Sequence, residues 1–144
     1  VTGFSTNVSA YIISDLLFSA NFNYTLGRVV EDGSQRPLDH IAPYFGKVGL
    51  TYTYNKLNLE GYMLYNGKKD IKDYSTSGED NPQYAPANGM PAWETYNFKA
   101  GFQVLKGGTL FAGVENILDT QYRVFASGIN APGRNIYGGI KYTF

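Results

Sequence analysis

The 144 residues include no cysteine and only one histidine, and the twelve basic residues are matched by twelve acidic ones. Without cysteine there is no disulfide framework, no thiolate metal site and no cysteine nucleophile. A formal net charge of zero gives no electrostatic footprint for nucleic acid, which needs a basic surface first. Long apolar runs are missing too. The longest are pieces such as Tyr11-Ile12-Ile13 and Leu16-Leu17-Phe18, far below the roughly 18 residues of a membrane-spanning helix. No secretory leader is read at the start, because Val1 opens directly into patterned sequence with no basic region or apolar core. A mean hydropathy of −0.28 resembles a soluble protein, but that index is weak here. A barrel strand carries half the apolar signal of a helix per residue.

Aromatic residues and glycine are plentiful: 13 tyrosines, 9 phenylalanines and 17 glycines. Tyrosine joins an apolar ring to a polar tip, so it suits boundaries between an apolar and a wet phase.

The strongest positive signal is alternation with a period of two, which sends successive side chains to opposite faces of a strand. Over 135–144, Ile136, Gly138, Ile140, Tyr142 and Phe144 oppose Asn135, Tyr137, Gly139, Lys141 and Thr143. Over 95–105, Tyr96, Phe98, Ala100, Phe102 and Val104 oppose Thr95, Asn97, Lys99, Gly101 and Gln103. The same holds near 3–12, 17–27, 44–54 and 57–66, and near 109–118, where Phe111 and Ile117 blur it. Seven strands of about ten residues are therefore expected, the length a tilted strand needs to cross a bilayer. Short turns around Ser14-Asp15, Asn55-Lys56 and Lys106-Gly107-Gly108 alternate with long loops over 28–43, 67–94 and 119–134. Outer-membrane barrels have that asymmetry, with short periplasmic turns and long external loops. No helix with start and stop signals competes.

Alternation alone fits a soluble barrel as well as a membrane one. Two features favour the membrane. Tyr44 at one end of its segment and Tyr52 with Tyr54 at the other are separated by ~26 Å at about 3.3 Å per residue, near the height of the apolar band once tilted. The polar faces hold small and amide residues rather than dense Lys and Glu. The predicted fold is all-β, an antiparallel transmembrane barrel segment.

Several stretches resemble a known family. Gly113-Val114-Glu115-Asn116-Ile117-Leu118-Asp119 followed by Tyr122 is similar to a segment near the end of TonB-dependent outer-membrane receptors. Ala131-Pro132-Gly133-Arg134 before a strand ending in Phe144 resembles that family's last hairpin. Pro37-Leu38 through Ile41-Ala42-Pro43 resembles a stretch preceding one of its later strands, with alanine where the family often has proline. Gly89-Met90-Pro91-Ala92-Trp93 and Asn97 resemble the start of its third-from-last strand, particularly in receptors of the Bacteroidetes type. Each motif is loose, and together they cover most of residues 37–144.

The resemblance implies a 22-stranded barrel around an N-terminal plug, with residues 1–144 forming its last seven strands. An odd strand count agrees, since a complete single-chain bacterial barrel normally has an even number. It implies energised uptake, across the outer membrane of a Gram-negative bacterium, of a scarce nutrient of the ferric siderophore, haem or cobalamin class. Its expected partners are outer-membrane lipid, the rest of the same barrel and its plug, TonB through the N-terminal part, and the barrel assembly machinery. No nucleic acid and no cofactor is expected. The rival expectations are a small autonomous outer-membrane barrel with an adhesive or structural role, and a soluble β-barrel binding module.

Candidate functional residues follow. Ile140, Tyr142 and Phe144 are the expected assembly signal, offered as an edge for strand pairing; the plain alternative is a lipid-facing anchor at the interface. In the loops, Lys68, Lys69, Asp70, Asp73, Tyr74, Tyr84, Trp93, Arg123 and Arg134 are candidate ligand contacts, because binding residues concentrate on loops over a rigid scaffold. Solvated loop residues are the blander reading of each, and Arg134 is equally suited to a structural pairing at the strand mouth. Asp70, Asp73, Glu79 and Asp80 lack the fixed spacing of a calcium loop. His40 alone is a weak metal ligand set, and its place between Pro37 and Pro43 suits a structural role at the end of a loop. Catalysis finds little support, since a nucleophile or water needs an adjacent base and no serine lies in an elbow context.

Overall fold

A computed structural model describes residues 1–31 and 33–144. Among the described residues eleven strands run in chain order: β1 (Thr2–Ile13), β2 (Leu16–Leu26), β3 (Arg28–Glu31), β4 (Ser34–Pro37), β5 (Phe45–Tyr54), β6 (Leu57–Asn66), β7 (Lys69–Asp70), β8 (Gly89–Met90), β9 (Trp93–Leu105), β10 (Gly108–Glu115) and β11 (Asn135–Tyr142). Seven of them form one antiparallel sheet in the order β1-β2-β5-β6-β9-β10-β11. The other four make two small hairpins, β3-β4 and β7-β8, inside the long connections. Each wide-sheet strand therefore lies beside its nearest wide-sheet neighbour in sequence, a meander that alternating short and long connections permit.

The register carries the alternation across the whole sheet. Phe18 pairs with Leu50, Leu50 with Gly61, Gly61 with Phe98, Phe98 with Val114 and Val114 with Ile136. Opposite residues share a face, so this row and those parallel to it build one continuous apolar face. A slip of one residue at any ladder would turn a strand's apolar set to the other side. The other face takes Asn7 opposite Asn21, Lys47 opposite Asn21 and Glu60 opposite Lys99.

Among the described residues no second layer covers the apolar face. Phe4, Val8, Leu50, Phe98, Phe102 and Ile140 are all exposed, and the buried hydrophobic residues are Tyr74 and Met90, both in the long connection between β6 and β9. A water-soluble sheet buries one face against a partner layer, and a patch this wide on a monomer marks an interaction surface. Aromatic rings mark both ends of the face: Phe22 stacks near Tyr44 at the loop end (5.9 Å), and Tyr52 near Tyr54 at the turn end (6.4 Å).

Close strand approach explains one glycine on this face. A Cβ on Gly46 would stand 2.1 Å from the carbonyl oxygen of Asn21 and 2.3 Å from Tyr65 Oη. The Tyr65 ring lies over that gap and its hydroxyl donates to the Asn21 carbonyl at 2.9 Å. Glycine here lets one tyrosine span three strands.

Two strands stop two or more residues short of the sequence reading. The strand expected over 109–118 stops at Glu115, because Asn116 takes a left-handed backbone, φ 51°. Phe111, which blurs the pattern, lies on the polar face with its ring against Gly139. The last strand ends at Tyr142, and one further backbone bond, Thr143 N–H to the Gly107 carbonyl (2.9 Å), fastens the tail to the β9-β10 turn. Phe144 is thus beyond the ladder and fully exposed, its ring edge-on to Tyr142 at 5.0 Å.

Candidate functional site

Two regions concentrate polar chemistry. The first is the polar face of the wide sheet. Lys47 on β5 reaches Glu60 on β6 at 2.6 Å, and Lys99 on β9 reaches the other Glu60 oxygen at 2.7 Å. The Glu60 side chain is 14% exposed, so one carboxylate bridges three strands from a sheltered position. Tyr62, two residues along β6, offers its ring to the Lys47 ammonium 4.1 Å from the centroid, a favourable cation–π distance. The cluster carries one net positive charge, since two ammonium groups share one carboxylate.

The second region is the loop end, where the three long connections fold against each other. Asp80 is fully buried. Its Oδ1 accepts the His40 backbone N–H at 2.7 Å, and its Oδ2 accepts that of Ser75 at 3.0 Å. A carboxylate taking two backbone N–H groups is a charge-assisted clamp, here joining the first connection to the second. Lys69 donates from Nζ to the Ile41 carbonyl and sits 4.8 Å from the Phe125 ring of the third connection. Burial pushes the Lys69 pKa down, partly offset by Asp80 and Asp73. Burial pushes the Tyr74 hydroxyl up, with the Asp80 charge adding to it. Tyr74 meets Phe125 edge-on at 5.5 Å, and Asn81 donates to the Ala126 carbonyl at 2.9 Å. The result is a folded cap over the end of the sheet.

The cap rests on an asparagine pair. Asn116 donates its backbone N–H to Asn97 Oδ1 at 2.9 Å, and Asn97 Nδ2 donates to the Thr95 carbonyl at 3.1 Å. The Asn116 side chain accepts the Thr120 N–H at 2.9 Å and donates to the Thr120 carbonyl at 2.8 Å. Asn97 and Asn116 are both buried. Beside them Asp119 accepts the Arg134 N–H at 2.7 Å, while Arg134 Nε donates to the Ile117 carbonyl at 2.8 Å.

The candidate ligand residues divide accordingly. Lys69 and Tyr74 are buried within the cap, Trp93 stacks on Tyr122 with centroids 4.2 Å apart, and Arg134 ties the strand mouth. Arg123 donates to Asn130 Oδ1 at 2.9 Å and to the Tyr84 carbonyl. Lys68 pairs with Asp70 at 2.7 Å on the surface; Tyr84 is exposed. Asp73 lines, with Lys68, Lys69, Arg28 and Tyr44, a cavity of about 300 Å³ at the edge of the cap. His40 has a left-handed backbone, φ 60°, and uses its N–H on Asp80, a role in loop structure. Asp80 itself had no sequence signal beyond its place in an acidic run. The Lys47–Glu60–Lys99 cluster was legible only as isolated charges on polar faces.

No protein-family model matches the chain, and no curated protein matches it. Among solved structures it is similar to the copper transporter OprC, at 17% identity and a TM-score of 0.83, covering 99% of this chain and 23% of that one. It is also similar to a mutant of the ferric enterobactin receptor PfeA from Pseudomonas aeruginosa, at 20% identity and a TM-score of 0.68, covering 99% and 22%. The chain spans less than a quarter of the length of either. Its fold is all-β, a seven-stranded antiparallel barrel-wall segment.

Proposed function

We propose that this chain forms part of the barrel of a TonB-dependent receptor in the outer membrane of a Gram-negative bacterium, and that the receptor imports a scarce nutrient. One observation carries the reading: an apolar face continuous over seven strands and, among the described residues, uncovered by any other layer. In a bilayer that face meets acyl chains, while the polar face lines an interior that other parts of the same protein fill. The fold shared with a copper transporter and a ferric enterobactin receptor supports transport over catalysis. So does the sequence resemblance around Asn116 and Arg134.

By this reading the chain is the last seven strands of a 22-stranded ring, its sequence nearest to receptors of the Bacteroidetes type. β1 and β11 do not pair with each other, so both edges are available to further strands of the same barrel. A self-contained barrel would need that pairing. The plug would occupy the polar side, near Lys47, Glu60 and Lys99, and TonB would act through it. Ile140, Tyr142 and Phe144 suit the barrel assembly machinery, because the exposed outer edge of β11 can accept a strand. The cargo proposed is of the ferric siderophore, haem or cobalamin class, met first by the cap residues Lys68, Asp70, Asp73 and Tyr84.

The test uses the full-length protein that carries this chain. It is expected in the outer-membrane fraction, with heat-modifiable mobility, and its strain is expected to take up a ferric siderophore, haem or cobalamin only while the proton gradient and TonB are intact. A soluble protein, or uptake indifferent to TonB, would refute the proposal.

A further inference from the structure

One row of the polar face leaves a cation short of partners. Glu60 on β6 lies opposite Lys99 on β9, Lys99 opposite Gly113 on β10, and Gly113 opposite Tyr137 on β11. Opposite residues share a face, so these four positions form one strip across the wall. Glu60 serves two ammonium groups, Lys47 at 2.6 Å and Lys99 at 2.7 Å. Lys47 has a second support in the Tyr62 ring at 4.1 Å; for Lys99 that ring is 5.8 Å away. Lys99 is also the more exposed of the two side chains, 46% against 33%. It is the cation with donors to spare.

Beyond Lys99 the strip has no side chain at Gly113, and Tyr137 occupies the space. A Cβ at Gly113 would collide with Cζ and Oη of Tyr137, so the phenol oxygen lies over the position next to Lys99. Among the described residues the hydroxyls of Tyr65 and Tyr96 donate within the chain, and that of Tyr137 does not. An ammonium beside a free hydroxyl on one strip makes a socket for a carboxylate. Two residues along β10 from Gly113 stands Glu115. It accepts from Asn135 Nδ2 at 3.2 Å and has no ion pair among the described residues. Two residues of strand span ~6.6 Å. The wall thus presents a positive spot and a negative one at about that spacing.

We propose that Lys99 and Tyr137 hold the carboxylate of an Asp or Glu from the plug, on a segment that also presents a Lys or Arg to Glu115. The inference deepens the reading above and rests on it, because the polar face lines an interior only if these strands belong to a larger barrel. Two observations choose the occupant. The chain spans less than a quarter of either similar structure, so by that reading most of the protein lies outside these residues and fills the interior. The two opposite charges then select what covers them, since an ammonium or carboxylate shut away from water without a partner is strongly unfavourable. A lone anion would gain Lys99 but face Glu115. A polypeptide segment carrying both signs satisfies both.

The experiment uses the full-length receptor in isolated outer membranes. A carbodiimide joins a lysine amine to a carboxylate in contact with it, expelling water, and peptide mapping by mass spectrometry locates the new amide. Lys99 is expected to couple to Glu60 and, in addition, to an Asp or Glu outside residues 1–144 of the same molecule. Acetylation by an N-hydroxysuccinimide ester is the second readout. Lys99 should react about ten-fold more slowly than Lys106, exposed in the β9-β10 turn, the scale of one charge-assisted contact. Y137F retains the ring over Gly113 and removes the donor, so Lys99 acetylation should rise about five-fold, which a merely steric cover would not produce. Coupling to Glu60 alone, coupling to a second molecule, or Lys99 protection unmoved by Y137F overturns the socket while leaving the outer-membrane reading intact. A receptor found in the soluble fraction overturns both.

Discussion

Asn116 places its backbone N–H 2.9 Å from the side-chain oxygen of Asn97, so the residue just past the end of β10 is fastened to the first half of strand β9. Both side chains are buried and fully engaged, which makes the pair a junction between sheet and cap. Asn97 to Ala is expected to leave the Asn116 N–H without an acceptor. The loss should be about 1–3 kcal/mol, read as a lower denaturant midpoint of the folded full-length barrel. N116G should retain the left-handed backbone yet lose the bonds to Thr120, and so fall between the parent and N116A.

Gly46→Val should impair folding strongly, because its Cβ would meet the Asn21 carbonyl at 2.1 Å and Tyr65 Oη at 2.3 Å. Removing the ring as well, in a G46V/Y65A double variant, should restore only part of the folded fraction, since the Asn21 carbonyl still blocks. Heat-modifiable gel mobility reads the fraction. Full recovery in the double variant would show that the side chain alone sets the constraint.

Asp80 holds the cap closed from a fully buried position, so D80A should strand two backbone N–H groups at a cost of about 1–3 kcal/mol each. The expected outcome is local: faster proteolysis within 67–92, with the sheet's own unfolding midpoint little changed. D80N retains acceptor capacity on one oxygen and should open less.

A carboxylate of the first connection makes the cap sensitive to acid. Hydrogen bonds from Ser75 and then Ser77 hold the Asp39 carboxyl below the usual carboxylate range, with His40 and Arg36 adding to the same direction. A folded-state pKa depressed below the unfolded value contributes stability above the unfolded pKa, and that contribution is lost as pH falls through the folded one. Proteolysis of the 67–92 segment should therefore accelerate only in strong acid, below the ordinary carboxylate range. S75A/S77A should move the onset to higher pH; an onset unmoved by that double change would remove Asp39 from the latch.

Glu60 separates two lysines that would otherwise face each other across β6. E60Q should thus destabilise more than K99M, because it leaves two ammonium groups without their shared partner whereas K99M leaves one intact pair. With Lys99 nearly half exposed, solvent screening limits the K99M effect to about 1 kcal/mol or less. Equal losses would mean that the pair, not the triad, is the functional unit.

The sequence by itself determined the seven wide strands, to within three residues at each end, and the face each side chain takes. That is a local property: alternation from Tyr96 to Val104, or from Ile136 to Tyr142, needs only the pleat of an extended chain. It also determined which connections are short, from Ser14-Asp15, Asn55-Lys56 and Lys106-Gly107-Gly108. Asn116 and Arg134 stood out through resemblance, though not for the hydrogen bonds they make.

Tertiary structure alone decided the rest. That Lys47, Glu60 and Lys99 form one cluster depends on the registers of two ladders. That Asp80 is a buried clamp rather than one more loop acid depends on His40, brought beside it by the first connection packing on the second. Sequence periodicity has no reach over such separations, because the contacts are fixed by the summed packing and hydrogen bonding of the whole assembly rather than by any stretch of chain. Nor does alternation say which face goes uncovered. The sheet answered that, for among the described residues no layer lies against the face built from Phe18, Leu50, Gly61, Phe98, Val114 and Ile136, and apolar surface this wide marks an interaction face.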